Sequence, residues 1–131
     1  MIGLDTNVLV RFLVQDDRVQ FARAQRLLAR EARRGESVLV SLLVLLETEW
    51  MLRSRYGLAK SEIADALSAL LDSVELRVED ETAVEQALFT WRDSGADFAD
   101  CLIGARNRRL GCAATATFDA RAAKVPGFIA A

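Results

Sequence analysis

Apolar positions along the chain follow two alternating spacings, one suited to strands and one suited to helices. Short apolar or alternating runs predict strands at residues 1–4, 37–40, 74–78 and 112–117, with a last edge strand at Phe128 and Ile129. Helices are predicted between the strands, at residues 5–14, 17–35, 41–56, 60–72, 82–92 and 97–110. This alternation favours an α/β domain with a mostly parallel sheet.

Local signals support several of these helix starts. Asp17 with Gln20, and Thr82 with Glu85, have the three-residue spacing of a capping box. Residues 42–46 are apolar on every side, which predicts that the third helix begins deep in the core.

Length and composition bound the possible functions. The chain has 131 residues, and we expect a single domain over residues 1–131. It contains no histidine, which excludes Ser-His-Asp and Cys-His nucleophiles and removes the usual ligand of catalytic zinc. Cys101 and Cys112 match no zinc or redox spacing, so both are expected to be small buried residues.

The chain lacks features of a secreted or membrane protein. No apolar run reaches about 18 residues, and the N-terminus has neither a basic region nor a long apolar stretch. We therefore expect a cytoplasmic protein. The net charge is −2, yet fifteen of seventeen cationic residues are arginine, which suits local phosphate contacts. A host with GC-rich codons explains the arginine bias equally well.

Two aspartates directly follow predicted strands. Asp5 ends the first strand and Asp119 comes just after the strand at 112–117. Ligands of parallel sheets bind outside the carboxyl ends of the strands, so both carboxylates are placed for a binding site. The alternatives are that Asp5 caps the following helix and that Asp119 is a turn residue.

One glutamate of the third helix has apolar neighbours. Glu47 lies one turn from Leu43 and from Trp50, and a carboxylate on an apolar face is costly unless it is paired or binds metal. Glu49 has Arg53 four residues later, which suits a surface ion pair. Glu47 is therefore the functional candidate and Glu49 the structural one.

Asp97 and Asp100 share a face at the start of the last long helix. The simpler interpretation is that Asp97 caps that helix and that Asp100 interacts with its dipole. Two carboxylates so placed also suit a divalent cation. If such acids converge, each close pair costs about 4 kcal/mol at 4 Å and an effective dielectric near 20. Oxygen ligands without histidine favour a hard ion, magnesium or manganese.

Five segments, in order along nearly the whole chain, resemble the PIN-domain ribonucleases and, among them, the VapC toxins of bacterial toxin–antitoxin pairs. They are Leu4-Asp5-Thr6-Asn7-Val8-Leu9-Val10-Arg11, Leu45-Leu46-Glu47-Thr48-Glu49-Trp50-Met51-Leu52-Arg53, Asp97-Phe98-Ala99-Asp100-Cys101-Leu102-Ile103, Thr115-Ala116-Thr117-Phe118-Asp119 and Ala122-Ala123-Lys124-Val125-Pro126-Gly127-Phe128.

The resemblance implies a PIN-like, Rossmann-like fold with three layers, α/β/α, around a central sheet of about four to five strands. It places the catalytic, metal-binding acids at Asp5, Glu47, Asp100 and Asp119. Asp97 is then an accessory acid. Thr6, Asn7 and Thr117 match positions that orient acids or bind the attacking water or phosphate.

The resemblance also implies partners. The substrate is RNA, with tRNA and rRNA as the classes to consider, and the chain forms a homodimer that binds an antitoxin protein. The antitoxin tail is expected in a groove lined by the apolar faces of the Glu47 helix and of Ile63, Leu67 and Leu70, although these side chains equally suit the core.

A water molecule activated by Mg²⁺ or Mn²⁺ is expected to attack the RNA phosphodiester, leaving 5′-phosphate and 3′-hydroxyl ends. Six cationic residues are candidates for RNA backbone contacts: Arg11, Arg53, Arg106, Arg108, Arg109 and Lys124. Two alternatives stay open. One is a non-catalytic RNA- or protein-binding module. The other is an aspartate-phosphorylated receiver or phosphatase. The phosphatase pattern requires a second aspartate where this chain has Asn7.

Overall fold

The computed structural model describes residues 1–131, whose contacts define a first unit, Met1–Glu79, and a second unit, Asp80–Ala131. The first unit contains β1 (Ile2–Gly3), α1 (Thr6–Val14), α2 (Arg18–Arg33), β2 (Val38–Val40), α3 (Leu42–Ser54), α4 (Lys60–Asp72) and β3 (Leu76–Val78). The second contains α5 (Glu81–Arg92), α6 (Phe98–Arg109), β4 (Thr115–Thr117), a short 3-10 helix (Ala122–Lys124) and β5 (Phe128–Ala130). Each predicted helix and strand is present; α4 has the predicted bounds and the other elements have shifted ends.

All strand pairs are parallel. In the first unit β2 lies between β1 and β3, with Val38 opposite Ile2 on one side and Leu76 on the other. In the second unit β4 pairs with β5, with Thr115 opposite Phe128. The predicted α/β class and parallel pairing are confirmed. Hydrogen bonds group the five strands into a sheet of three and a sheet of two.

Each unit has an apolar core. In the first unit Ile63, Leu67 and Leu70 are at most 3% exposed, so they fill the core and cannot line a groove for a partner. In the second unit Trp91 and Phe98 pack α5 on α6, with ring centroids 5.2 Å apart. No helix of the protein has the length and apolar character that crossing a membrane requires.

The start of α3 and Cys112 are less buried than predicted. The first turn of α3 is not enclosed, because Leu43 is 79% exposed while Leu45 beside it is 1% exposed. The apolar stretch therefore covers the core on one side only. Cys101 is buried as predicted, but Cys112 is exposed, because it follows the turn at Gly111, where φ is 97°, before β4 begins.

The capping boxes form only in part. Asp17 caps α2 by accepting a hydrogen bond from the Gln20 N–H at 3.0 Å, but the Gln20 side chain accepts from Arg11 rather than reaching back. The box at Thr82 is wrong, because α5 begins at Glu81 and its cap is Asp80. Ser41 caps α3, its Oγ accepting from the Val44 N–H.

Candidate functional site

Three of the predicted acids meet in the second unit. Asp97 precedes α6 with extended backbone, and its side chain makes no capping hydrogen bond. Asp100, in the first turn of α6, instead accepts a hydrogen bond from the backbone N–H of Asp97. The cap interpretation of Asp97 therefore fails for its side chain, which leaves that carboxylate available.

Asp100 is the member of this group whose negative charge is disfavoured by its surroundings. Burial raises its pKa above the ordinary value of 3.8, and the negative charges of Asp97 and Asp119 raise it further. The Asp97 N–H and the Arg121 guanidinium oppose the shift. A bound cation relieves the repulsion between the half-buried Asp100 carboxylate and the exposed Asp97 and Asp119, so the charge arrangement fits a metal site.

Asp119 is fixed by its own turn, after β4. Its Oδ1 accepts from the Arg121 N–H at 2.8 Å and from the Ala122 N–H at 3.1 Å, and these two hydrogen bonds lower its pKa. The Thr117 hydroxyl accepts from the Asp119 N–H at 3.0 Å. Asp119 is thus the turn residue of the alternative interpretation. Its Oδ2 makes none of these bonds, so one carboxylate oxygen stays open.

The predicted residues of α1 have distinct environments. Asp5 follows β1 with extended backbone and is exposed, and its side chain does not cap α1. The cap alternative for Asp5 therefore fails. Thr6 is buried, at 4% exposed, whereas Asn7 is exposed.

The prediction that Glu47 lies on a buried apolar face is wrong, because Glu47 is exposed, as are its neighbours Leu43 and Trp50. Glu49 is the buried carboxylate of α3, at 3% exposed, and it pairs with Arg53 at 2.9 Å. The predicted i,i+4 ion pair exists, but its glutamate is buried and only its arginine is at the surface. Glu47 has no hydrogen bond or ion pair within the chain, so its carboxylate is available to a ligand.

Most of the cations proposed for RNA contacts already have partners within the chain. Arg106 and Arg109 both bind the Asp80 carboxylate, at 2.9 and 2.5 Å. Arg11 donates to Tyr56 and Asp16. Arg53 pairs with Glu49, whereas Arg108 and Lys124 are exposed.

Two charged residues that shape the second unit were not predicted from the sequence. Asp80 holds two arginines, and Arg121 supplies positive charge to both Asp100 and Asp119. Arg121 packs beside Gly95. It follows Asp119 by two residues, and this closeness in sequence was the signal that could have placed it near the acids.

No group of three or more Cys, Asp or Glu side chains is arranged tightly enough to hold a metal ion unaided. The donor chemistry nevertheless fits Mg²⁺ or Mn²⁺, because the acids of the second unit offer only carboxylate oxygens and repel one another. Both ions keep waters and substrate oxygens in their coordination shells, so an incomplete protein cage is compatible with them.

Comparison with known proteins gives one family. The sequence pattern of the PIN domain matches residues 2–127. Among solved structures, the crystal structure of Mycobacterium tuberculosis VapC20, a sarcin-ricin loop cleaving toxin, is 24% identical; the match covers 90% of this chain and 88% of that one, with a TM-score of 0.45. No curated protein matches the chain.

Proposed function

Because the chain belongs to the PIN domain family, we propose that it is a metal-dependent endoribonuclease. The observation that carries the proposal is the extent of the family match, which spans residues 2–127 and includes every acid of the expected set. The raised pKa of Asp100, caused by burial and by two neighbouring acids, supports a cation at this position.

We assign the metal ligands to Asp5, Glu47, Asp100 and Asp119. Asp5 and Glu47 are free to bind a metal because both are exposed and neither carboxylate has a partner within the chain. Asp119 supports it through its free Oδ2, and Asp97 adds negative charge beside Asp100. Bound Mg²⁺ or Mn²⁺ would polarise the phosphate and lower the pKa of a water molecule.

The remaining side chains position these acids. The backbone N–H groups of Arg121 and Ala122 hold Asp119 in one rotamer, and Thr117 holds its backbone. The Arg121 guanidinium lies close enough to Asp100 and Asp119 to influence both pKa values, so it is placed to contact a phosphate oxygen beside them. Thr6 and Asn7 follow Asp5 directly and are assigned to orienting it or the substrate.

We further propose that the protein is a cytoplasmic toxin of a type II toxin–antitoxin pair, acting as a homodimer on tRNA or rRNA and neutralised by an antitoxin protein. The motif resemblance to VapC toxins is the support for this role. The exposed side chains of Leu43 and Trp50, at 79% and 48%, offer α3 as a surface for a protein partner.

The test is cleavage of total tRNA and rRNA by the purified protein with Mg²⁺, with Mn²⁺ and with EDTA. We expect cleavage only with a divalent ion, and products that end in 5′-phosphate and 3′-hydroxyl because water is the nucleophile. Products with 2′,3′-cyclic phosphates, or equal cleavage in EDTA, would contradict the proposal.

A further inference from the structure

Positive charge is concentrated on one helix of an acidic protein. The sixteen residues of α2 contain five arginines and one glutamate, a net charge of +4. The whole chain carries −2, so the residues outside α2 together carry −6. General arginine enrichment does not explain this local reversal of sign.

Four of the α2 arginines line a groove of about 670 Å³ with α1. Arg23, Arg26, Arg30 and Arg33 follow one another at intervals of three or four residues, so they lie along one side of the helix over about 15 Å. Arg11 and Asn7 of α1 line the groove as well, and no acidic residue lines it.

Most of these guanidinium groups have no role in holding the fold. Arg23, Arg26 and Arg33 are exposed and make no hydrogen bond or ion pair within the chain. Only Arg30, which pairs with Glu31, and Arg11 have partners. Like charges at these helical spacings repel by a few tenths of a kcal/mol per pair, so the row destabilises the isolated helix. A row of unpaired arginines with no stabilising function is typical of an anion-binding surface.

We propose that the groove between α1 and α2 binds the phosphate backbone of single-stranded RNA beside the cleavage site. The position of Asn7 favours RNA: it lines the groove and lies two residues after Asp5, so a strand in the groove leads to a proposed catalytic acid. Arginine also matches phosphate geometry with paired N–H donors. This inference rests on the proposed function and adds Arg23, Arg26 and Arg33 as substrate-binding residues.

The test measures RNA binding apart from cleavage. In an Asp5→Asn background and in EDTA, binding of a fluorescent single-stranded RNA is compared before and after Arg23→Ala/Arg26→Ala/Arg33→Ala. The matched control is Arg18→Ala/Arg55→Ala/Arg77→Ala, which removes the same charge outside the groove. Circular dichroism checks that both variants are folded.

We expect the groove variant to bind RNA about 10- to 100-fold more weakly at moderate salt, while the control changes by less than about threefold. Loss of three phosphate contacts should also make the slope of log affinity against log salt shallower by about 2, since each contact to a single strand contributes about 0.7.

Equal losses in the two variants would overturn the proposal, because they would reflect net charge alone. So would a groove variant that loses affinity for an acidic peptide, such as polyglutamate, but retains affinity for RNA. Failure of the proposed function is a separate result, namely no cleavage by the wild-type protein with Mg²⁺ or Mn²⁺, and the binding comparison is valid in either case.

Discussion

Asp80 connects the start of α5 to the end of α6, and replacing it removes these connecting contacts. Its side chain is 7% exposed and accepts hydrogen bonds from Arg106, from Arg109 and from the Ala83 N–H that it caps. Its backbone is left-handed, with φ of 49°. Aspartate suits this place because it tolerates that backbone, and its charge complements the N-terminus of α5 and the basic C-terminus of α6.

The cost of Asp80→Ala follows from these contacts. Loss of the helix cap costs about 1 kcal/mol, and the left-handed backbone costs alanine about another 1 kcal/mol. Arg106 and Arg109 are 38% and 40% exposed and regain water, so each lost pair costs about 0.5 kcal/mol rather than the several expected of a fully buried pair. We therefore expect a loss of about 3 kcal/mol for Asp80→Ala. Asp80→Asn keeps the cap and the backbone and should lose about 1 kcal/mol.

Urea unfolding followed by circular dichroism measures both values. Asp17→Ala is the matched control, because Asp17 caps α2 from an extended backbone with φ of −121° and should cost only about 1 kcal/mol. In 1 M NaCl the gap between wild type and Asp80→Asn should shrink, while the gap between the Asn and Ala variants persists. A loss of stability for Asp80→Ala equal to that for Asp17→Ala would show that neither the left-handed backbone nor the arginine pairs contribute.

Three further variants test single features. Thr48 is fully buried with its Oγ1 unpaired, so Thr48→Val should raise the free energy of unfolding by about 1 kcal/mol in urea titrations; a loss would show that the hydroxyl has a partner. A Cβ at Gly104 would lie 2.8 Å from Phe128 Cζ, so Gly104→Ala should lower the melting temperature despite its better helix propensity; an unchanged temperature would mean that the ring moves freely. Asp100→Asn should abolish cleavage yet melt no lower than wild type at pH 7 without metal. Because the folded pKa of Asp100 is raised, its ionised carboxylate destabilises the wild type at neutral pH. The advantage of asparagine is therefore full at pH 7, fades as the pH falls through the raised folded pKa and is gone below the ordinary value of 3.8; a lower melting temperature at pH 7 would contradict this.

Much of the fold was predictable because local signals agree with the tertiary structure. The buried residues of α4 recur at helical spacing, and Ser41 and Asp17 cap the helices that they precede. The grouping of Asp97 with Asp100 was likewise set by helical spacing. Its link to Asp119, and the effect of both on the pKa of Asp100, required the folded second unit.

The main cause of failure is that apolar neighbours in sequence do not reveal which side of an element is covered. Glu47 was placed on a buried face by Leu43 and Trp50, but these side chains are themselves exposed and Glu49 is the buried acid. The cap of α5 was misplaced for a different reason. Asp80 has a left-handed backbone and distant arginine partners, and neither is visible in the local sequence.

The proposal that carboxylates far apart in the sequence bind one hard cation can be tested by calorimetric titration of the metal-free protein with Mn²⁺. We predict binding by the wild type and a loss of at least tenfold in affinity for Asp5→Asn, Glu47→Gln, Asp100→Asn and Asp119→Asn alike. The exposed-acid controls Asp72→Asn and Glu85→Gln should bind as the wild type does. Wild-type affinity in the variants of Asp5 and Glu47, with loss only in those of Asp100 and Asp119, would contradict a shared site.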